Sequence, residues 1–452
     1  MKTMTDHKTY WERKEDIEEI MRFSESYKDF LNAARTERMA VSEIRRLAEA
    51  AGYRNFDEVD ALKAGDRVYF VNREKSMILF DIGSDPEEGM SIIASHIDSP
   101  RLDLKANPLY EDEGVALLKT HYYGGVKKYQ WTAIPLAIHG VMFRKDGTKV
   151  DIHIGDEPGD PIFTVTDLAP HLGKSQNKKT LAEGILGENL NILAGHRKGD
   201  EAVKEELLAL IKEKYGVEED DFVVSELEVV PAFSARDLGF DRSMIASYGQ
   251  DDRVCAYSSL RALIDTAGRK RTCVAVFADK EEIGSVGNTS MSAKYFENAV
   301  GEVLAAMGND SHLAIRRALA NSYVLSADVT AALDPTYPEV MDKMNAARLG
   351  EGVCLMKYTG SRGKNGTSDA NAEFLAKLRK KFADDDVIWQ FGELGKVDEG
   401  GGGTVAYILA ETGAEVVDLG TALFSMHAPY EVASKADIYS TYRAYTSFLT
   451  MD

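Results

Sequence analysis

Several short stretches of the sequence place imidazole or carboxylate side chains at the end of an apolar run or just ahead of a helical pattern. The residues concerned are His96, Asp98, Asp251, Glu281, Glu282, Asp328 and His427. Imidazoles and carboxylates, with no thiol among them, suit zinc or another divalent first-row metal. A shared carboxylate can also bridge two ions roughly 3.5 to 4 Å apart. The residue types therefore predict a metal site.

His96 and Asp98 stand two positions apart at the end of the apolar run 91–94. Side chains at i and i+2 of an extended backbone face the same side. An imidazole that binds zinc through one nitrogen usually gives its other N–H to a carboxylate, which fixes the ring direction. Asp98 is therefore predicted to orient His96. The alternative for an isolated pair of this kind is a surface histidine near a turn.

Glu281 and Glu282 follow the strand pattern 274–278, and two adjacent carboxylates at a strand end can diverge, one to a metal and one to a water molecule. A solvated acidic loop is the alternative. Recurrence favours a functional site, because Asp328 and His427 also follow strand patterns. In open α/β sheets, sites lie beyond the carboxyl ends of the strands, so these side chains are predicted to converge at one rim.

The segments that carry these residues alternate between helix and strand patterns, which predicts an α/β fold with a mixed sheet flanked by helices. A helical pattern runs from residue 10 to about 47, and another covers 253–266. The predicted strands of this part are 67–72, 77–82, 90–96, 272–278, 323–327, 387–391 and 415–419. Residues 103–236 instead read as an inserted, mainly β domain, so 1–102 and 237–452 are predicted to form one catalytic domain.

Composition excludes several classes of protein. The formal net charge of −20 repels polyanions, so no nucleic-acid partner is expected. Residues 1–24 lack the apolar core of a signal peptide, and no apolar stretch reaches about 18 residues, so a soluble, cytoplasmic protein without a membrane partner is predicted. Cys255, Cys273 and Cys354 form no CxxC pair and are expected to be buried small hydrophobes.

Five motifs together resemble the aspartyl aminopeptidases and yeast vacuolar aminopeptidase I, a family of co-catalytic zinc exopeptidases. They are ASHIDSPRL at 94–102, DDR at 251–253, DKEEIGS at 279–285, SADVTAALDP at 326–335 and DLGTALFSMHAPYE at 418–431, in the family's order. The resemblance covers nearly the whole chain. It implies a zinc-exopeptidase-like fold with an inserted dimerisation domain, and removal of the N-terminal residue from peptides.

The resemblance also implies a role for each candidate residue. His96 and Glu282 would bind different zinc ions, Asp251 would bridge the two ions, and Asp328 and His427 would complete the two coordination shells. Asp98 would orient His96, and Glu281 would be the general base. Two Zn²⁺ per subunit are thus expected, with Co²⁺ or Mn²⁺ as possible replacements.

Two further residues are implied to contact substrate. His171, in the DLAPHL stretch at 167–172, matches a family histidine that reaches a neighbouring subunit's active site, and the family assembles as tetrahedral dodecamers. Lys357 matches a substrate-contacting lysine. The alternative for His171 is a structural role, in which it packs against other residues of the insertion. The alternative for Lys357 is a lysine at a strand end whose charge reaches solvent.

Other features leave the substrate open. Eukaryotic members of the family carry Leu-Asp-Asn where this chain has Gln250–Asp252, and they carry histidines where this chain has residues 329–334. A preference for N-terminal Asp or Glu is therefore a hypothesis. A related dizinc deacylase, a deblocking aminopeptidase and a catalytically idle peptide-binding assembly protein are the alternative functions. The glycine run 400–403 lacks a P-loop ending and is interpreted as a turn that lines the substrate. The remaining histidines of the insertion, His121, His139, His153 and His196, are expected to be structural.

Overall fold

A computed structural model describes residues 8–266 and 269–451. By their contacts these residues form two compact units. The first unit contains the residues up to Asp98, Ala235–Met426 and the residues from Tyr430 onward, and the second contains Ser99–Ser234 and His427–Pro429. Both helices and mixed sheets are present, so the predicted α/β class is confirmed.

The helices and strands are numbered in chain order. The α-helices are α1 Ile17–Ala33, α2 Glu37–Ala50, α3 Leu181–Gly184, α4 Val203–Tyr215, α5 Gln250–Asp265, α6 Tyr295–Ala306, α7 His312–Ala320, α8 Ala372–Asp384, α9 Ala406–Ala410 and α10 Lys435–Leu449. The strands are β1 Arg54–Asn55, β2 Arg67–Asn72, β3 Ser76–Asp81, β4 Met90–His96, β5 Arg101–Asp112, β6 Val115–Tyr123, β7 Leu136–Phe143, β8 Lys149–Ile154, β9 Ile192–Gly195, β10 Glu226–Pro231, β11 Arg236–Leu238, β12 Met244–Ser247, β13 Thr272–Ala278, β14 Tyr323–Ser326, β15 Thr330–Ala331, β16 Val353–Met356, β17 Trp389–Phe391, β18 Glu415–Gly420, β19 Ala422–Phe424 and β20 Glu431–Ser434.

The first unit is built on a nine-stranded mixed sheet with the order β1-β2-β3-β13-β4-β14-β18-β16-β17. Its central strands β13, β4, β14 and β18 run parallel, with Ala278 opposite His96 and Ser326 opposite Ala94. The carboxyl ends of these strands therefore meet at one edge. A smaller sheet of the same unit has the order β11-β12-β20-β19-β15.

Both faces of this nine-stranded sheet are covered by apolar side chains, as expected for buried parallel strands. Ile93 of β4 points into the core formed with α1, α2, α5 and α10, whereas its neighbour Ile92 points into the core formed with α6, α7 and α9. Ala275 and Val274 of β13 divide in the same way. The apolar run of β4 thus reaches the rim of the sheet with no side chain facing solvent.

The second unit contains a six-stranded antiparallel sheet with the order β8-β7-β10-β5-β6-β9. Helix α4 and strand β6 of this unit contact each other. Among the described residues, none of the helices combines the length and apolar character that crossing a bilayer requires.

Candidate metal centre

The imidazole of His96 lies among several carboxyl groups at the carboxyl end of β4. Its Nε2 atom is 3.3 Å from Asp251 Oδ1, 3.9 Å from Asp328 Oδ1 and 4.0 Å from Glu281 Oε2. Ligand atoms of His96, Asp251 and Asp328 all lie within 4.8 Å of one another, and all three residues are buried. One donor nitrogen and several carboxylate oxygens around a common point suit zinc or another divalent first-row metal.

Electrostatics favours a cation at this point. Burial alone disfavours the imidazolium, but the hydrogen bonds that its N–H groups donate to Asp251 and Asp98, together with the charge of Asp328, outweigh burial and raise the pKa of His96 well above its usual range. Burial, together with the charges of Asp252, Glu281 and Asp251, raises the pKa of Asp328. Crowded buried carboxylates are costly without a counter-charge, so the residues present fit a divalent ion.

Asp98 connects His96 to the acidic turn that follows β13. His96 Nδ1 lies 3.0 Å from the backbone oxygen of Asp98 and 3.3 Å from its Oδ1. The same carboxylate accepts hydrogen bonds from the backbone N–H groups of Glu281, at 3.1 Å, and Glu282, at 3.2 Å. Asp98 is fully buried. Its contact with the imidazole was anticipated by the i, i+2 spacing, but its hold on the acidic turn was not.

Glu281 and Glu282 lie in a short 3-10 turn, Glu281–Ile283. Lys280, just before the turn, has a left-handed φ of 67°, and its Nζ donates to Asp279 Oδ2 at 2.6 Å. Thr289 also donates to Asp279 Oδ2. Asp98 thus holds the backbone of the turn, and the hydrogen bonds to Asp279 hold the residue that precedes Lys280. Both Glu side chains are half-buried. A carboxylate oxygen of Glu282 lies within 4.8 Å of one of Asp251.

Asp251 precedes the regular part of α5, where Asp251 and Asp252 have non-helical backbone angles. The backbone N–H of Asp251 donates to Glu431 Oε2 at 3.1 Å, and the Gln250 side chain donates to the Glu431 backbone oxygen at 2.7 Å. Asp252 Oδ2 accepts from the backbone N–H of His96 at 3.3 Å. Neither Glu431 nor Asp252 was assigned a role from the sequence. Glu431 is the last residue of the motif at 418–431, and this place in the motif was the available signal for it.

Asp328 follows β14 and is held by close backbone packing. A Cβ atom on Gly420 of β18 would lie 1.9 Å from the backbone oxygen of Asp328, so only glycine allows this approach. The backbone N–H of Thr330 donates to the oxygen of Thr421 at 3.0 Å, which anchors the other side of the loop. The position of Asp328 therefore depends on the neighbouring strand β18.

The remaining predicted residues are Lys357, in the first unit, and His171 and His427, in the second. Lys357 is exposed just after β16, and its backbone oxygen accepts from Ala370 at 2.8 Å. His171 is exposed in a turn of the second unit. His427 is half-buried with a left-handed φ of 65°, and by its contacts it belongs to the second unit, where its Nδ1 lies 2.9 Å from the backbone oxygen of Gly125.

The sequence profile of the family described as "Aminopeptidase I zinc metalloprotease (M18)" matches residues 30–449. The chain belongs to this family. Among relatives of this M18 protein, a "Probable M18 family aminopeptidase 1" of Clostridium acetobutylicum is 50% identical over 458 residues, which cover 99% of this chain and 98% of the relative. The protein so described from Thermotoga maritima is 49% identical over 449 residues, which cover 98% and 99% of the two chains.

Solved structures agree with this M18 assignment. The crystal structure of an M18 aminopeptidase from Thermotoga maritima superposes with a TM-score of 0.96 at 48% identity, over 98% of this chain and 99% of the other. A yeast aminopeptidase 1 structure, 21% identical with a TM-score of 0.77, shares the fold. The predicted family is confirmed, and the M18 chain is a zinc metallo-aminopeptidase, a hydrolase.

Proposed function

We propose that this M18 protein removes the N-terminal residue of peptides at a two-zinc centre. One ion would be held by His96, Asp251 and Asp328, and the second by Glu282, His427 and the shared Asp251. The observation that carries the proposal is that Nε2 of the buried His96 faces three carboxylates within 4.0 Å. His427 enters the second ligand set through the family motif at 418–431, whose histidine it matches.

Each neighbouring side chain then has a distinct task. Bound zinc would lower the pKa of a water molecule and polarise the scissile carbonyl. Glu281 is the proposed general base, which takes a proton from the attacking water and passes it to the leaving amine. Its backbone N–H is bonded to Asp98, so the base and the His96 ligand are positioned by one carboxylate.

The free α-amino group of a peptide would be attracted to the acidic side chains of the centre, which accounts for cleavage at the N-terminus. Lys357, exposed after β16, is the proposed contact for an acidic first side chain. A cationic side chain there would favour N-terminal Asp or Glu through charge pairing. A cytoplasmic location stays a prediction from the sequence.

We further propose a homo-oligomer, a tetrahedral dodecamer, in which His171 acts in a neighbouring subunit. The structure of the yeast enzyme mApe1, which shares the fold, is described as a dodecamer. The second unit of this chain exposes Leu168 and Leu172, on either side of His171, by 54% and 72%. Exposed leucines around one histidine are consistent with contact to another subunit. Native mass measurement tests the subunit number.

One experiment tests the activity and the metal count together. The purified protein should hold about two zinc ions per chain and release the first residue from unblocked peptides, with chelation abolishing turnover and zinc restoring it. A panel of Asp-, Glu-, Leu- and Lys-initiated substrates gives the preference, and N-acylated substrates test a deacylase. Full turnover after verified metal removal would contradict the two-zinc proposal, and release from N-acylated substrates alone would contradict the aminopeptidase assignment.

A further inference from the structure

A row of ionisable side chains crosses the antiparallel sheet of the second unit. Cross-strand pairing sets His153 of β8 opposite His139 of β7, His139 opposite Glu228 of β10, and Glu228 opposite Asp103 of β5. Arg101 forms ion pairs with Asp103, at 2.8 Å, and with Glu228, at 3.3 Å. The acidic members of the row thus share a cation, and the two histidines face each other.

The two imidazoles are spaced like ligands of one metal ion. His139 Nδ1 and His153 Nδ1 lie 3.4 Å apart. Zinc–nitrogen bonds of about 2.0 to 2.1 Å at a tetrahedral angle put the two nitrogens about 3.3 to 3.4 Å apart. His139 is fully buried and His153 is exposed, so an ion could reach the pair from the His153 side.

A third residue supplies the outer contact that metal-binding histidines usually have. Asp156 Oδ2 lies 3.2 Å from Nε2 of His139, which is an ion-pair distance without the alignment of a hydrogen bond. In metal sites, a carboxylate at the far nitrogen fixes the tautomer and leaves the other nitrogen as the ligand.

We propose that His139 and His153 bind one divalent transition-metal ion through their Nδ1 atoms, separate from the catalytic centre, with Asp156 orienting His139. Water would fill the remaining coordination positions, since only two protein ligands are at hand. The opposing interpretation is that the two rings share a single proton in a hydrogen bond, and it is one outcome of the test.

Copper(II) is the most sensitive probe, because nitrogen sites bind it most tightly among first-row divalent ions. Zinc-loaded protein would be titrated with copper(II) and followed by electron paramagnetic resonance. Wild type should take up one more copper ion per chain than His153→Asn, with a spectrum that shows nitrogen ligands. The His153 side chain is exposed, so this substitution should leave the fold and the peptidase activity unchanged.

Two variants sharpen the assignment. His121→Asn, which removes an exposed histidine from β6 of the same sheet, should keep the extra copper. Asp156→Asn should weaken it about 10- to 100-fold, the usual effect of losing an outer carboxylate. Equal copper uptake and identical spectra in wild type and His153→Asn would overturn the site and leave the shared proton as the explanation. An unchanged affinity in Asp156→Asn would overturn the role given to Asp156.

Discussion

The two units place histidines and carboxylates by different means. In the first unit, parallel strands end at one edge, and His96, Glu281 and Asp328 meet there although they are far apart in the sequence. In the second unit, antiparallel strands hold His153, His139 and the acidic residues beside them side by side across the face of a sheet.

This difference has a chemical consequence. Side chains beyond strand ends can approach one point from several directions, as the three carboxylates around Nε2 of His96 do. Side chains on a sheet face are held at strand spacing, roughly 4.5 to 5.5 Å between Cβ atoms, so each has contact mainly with its direct neighbour. The first arrangement suits a shared centre with several ligands, and the second suits pairs.

If catalysis takes place at the strand ends of the first unit, Glu281→Gln should cause the largest loss of turnover. The amide cannot accept the proton from water, so kcat should fall by about 100-fold or more, while the zinc content stays unchanged. Glu282→Gln is the matched control on the adjacent residue, and it should lower zinc occupancy. Metal analysis beside steady-state kinetics separates the two. Indistinguishable metal contents and rates in the two variants would refute the assignment of base and ligand.

A somewhat smaller loss is expected for Asp98→Asn, because one carboxylate serves the imidazole and the acidic turn together. The amide keeps one acceptor oxygen but removes the charge next to His96, so zinc affinity or kcat should drop about 10- to 100-fold. Asp103→Asn on the antiparallel strand β5 is the control, and its kinetics should match the wild type. An Asp98→Asn enzyme with unchanged kinetics and zinc affinity would show that this contact is not needed.

His171 tests whether the second unit contributes to catalysis. His171→Ala should reduce kcat by roughly tenfold, the cost of about one hydrogen bond to the transition state, with metal content and assembly unchanged. Mixed oligomers refolded from Glu281→Gln and His171→Ala subunits should regain part of the lost activity, since one chain supplies the histidine and the other the intact metal site. If mass measurement confirms mixing but activity does not rise, His171 does not act in trans.

An effect on stability, with none on turnover, is expected from Asp437 in the first turn of α10. Burial raises the pKa of this carboxyl to about 8, although the backbone N–H groups of Gly350 and Gly352 donate to it. The folded protein therefore keeps a proton that the unfolded chain releases above its ordinary pKa near 4. The free energy of unfolding should fall between about pH 4 and 8, by at most roughly 1.4 kcal/mol per pH unit.

Asp437→Asn should remove that decline, because the amide does not titrate. The measurement is the difference in Tm between wild type and variant at pH 5 and pH 8, which cancels the pH effects common to both. A difference that stays constant across this range would contradict the raised pKa of Asp437.

The sequence predicted the strands of the first unit well, because each is a short apolar run buried on both faces. Strand 272–278 and the run 90–96 appear with the predicted bounds. Helix α4 was not anticipated within the insertion, which was predicted from its alternating segments to be mainly β, and Val203 is the buried residue of this helix. The three cysteines are buried and free, as expected.

The candidate site was predictable to the extent that ligand-type residues follow strands. The chain positions of His96 and Glu281 were visible, and so was the spacing of Asp98. Two hydrogen bonds of the site could not be predicted from the sequence. In each, a carboxylate, that of Asp98 or of Glu431, accepts from the backbone of a segment about 180 residues away. Such contacts depend on the tertiary fold and have no spacing in the sequence.

The covering of both faces of β4 also bears on how the chain finds its correct pairing. A strand with one wet face resists a one-residue slip, because the slip would send its apolar side chains into water. In β4 the neighbours Ile92 and Ile93 would merely exchange two apolar cores, so hydrophobicity alone penalises the slip weakly. His96 and Asp98 have polar partners in one register only. The residues proposed for catalysis would then also guide folding, and removing them should lower the yield of correctly paired protein as well as its turnover.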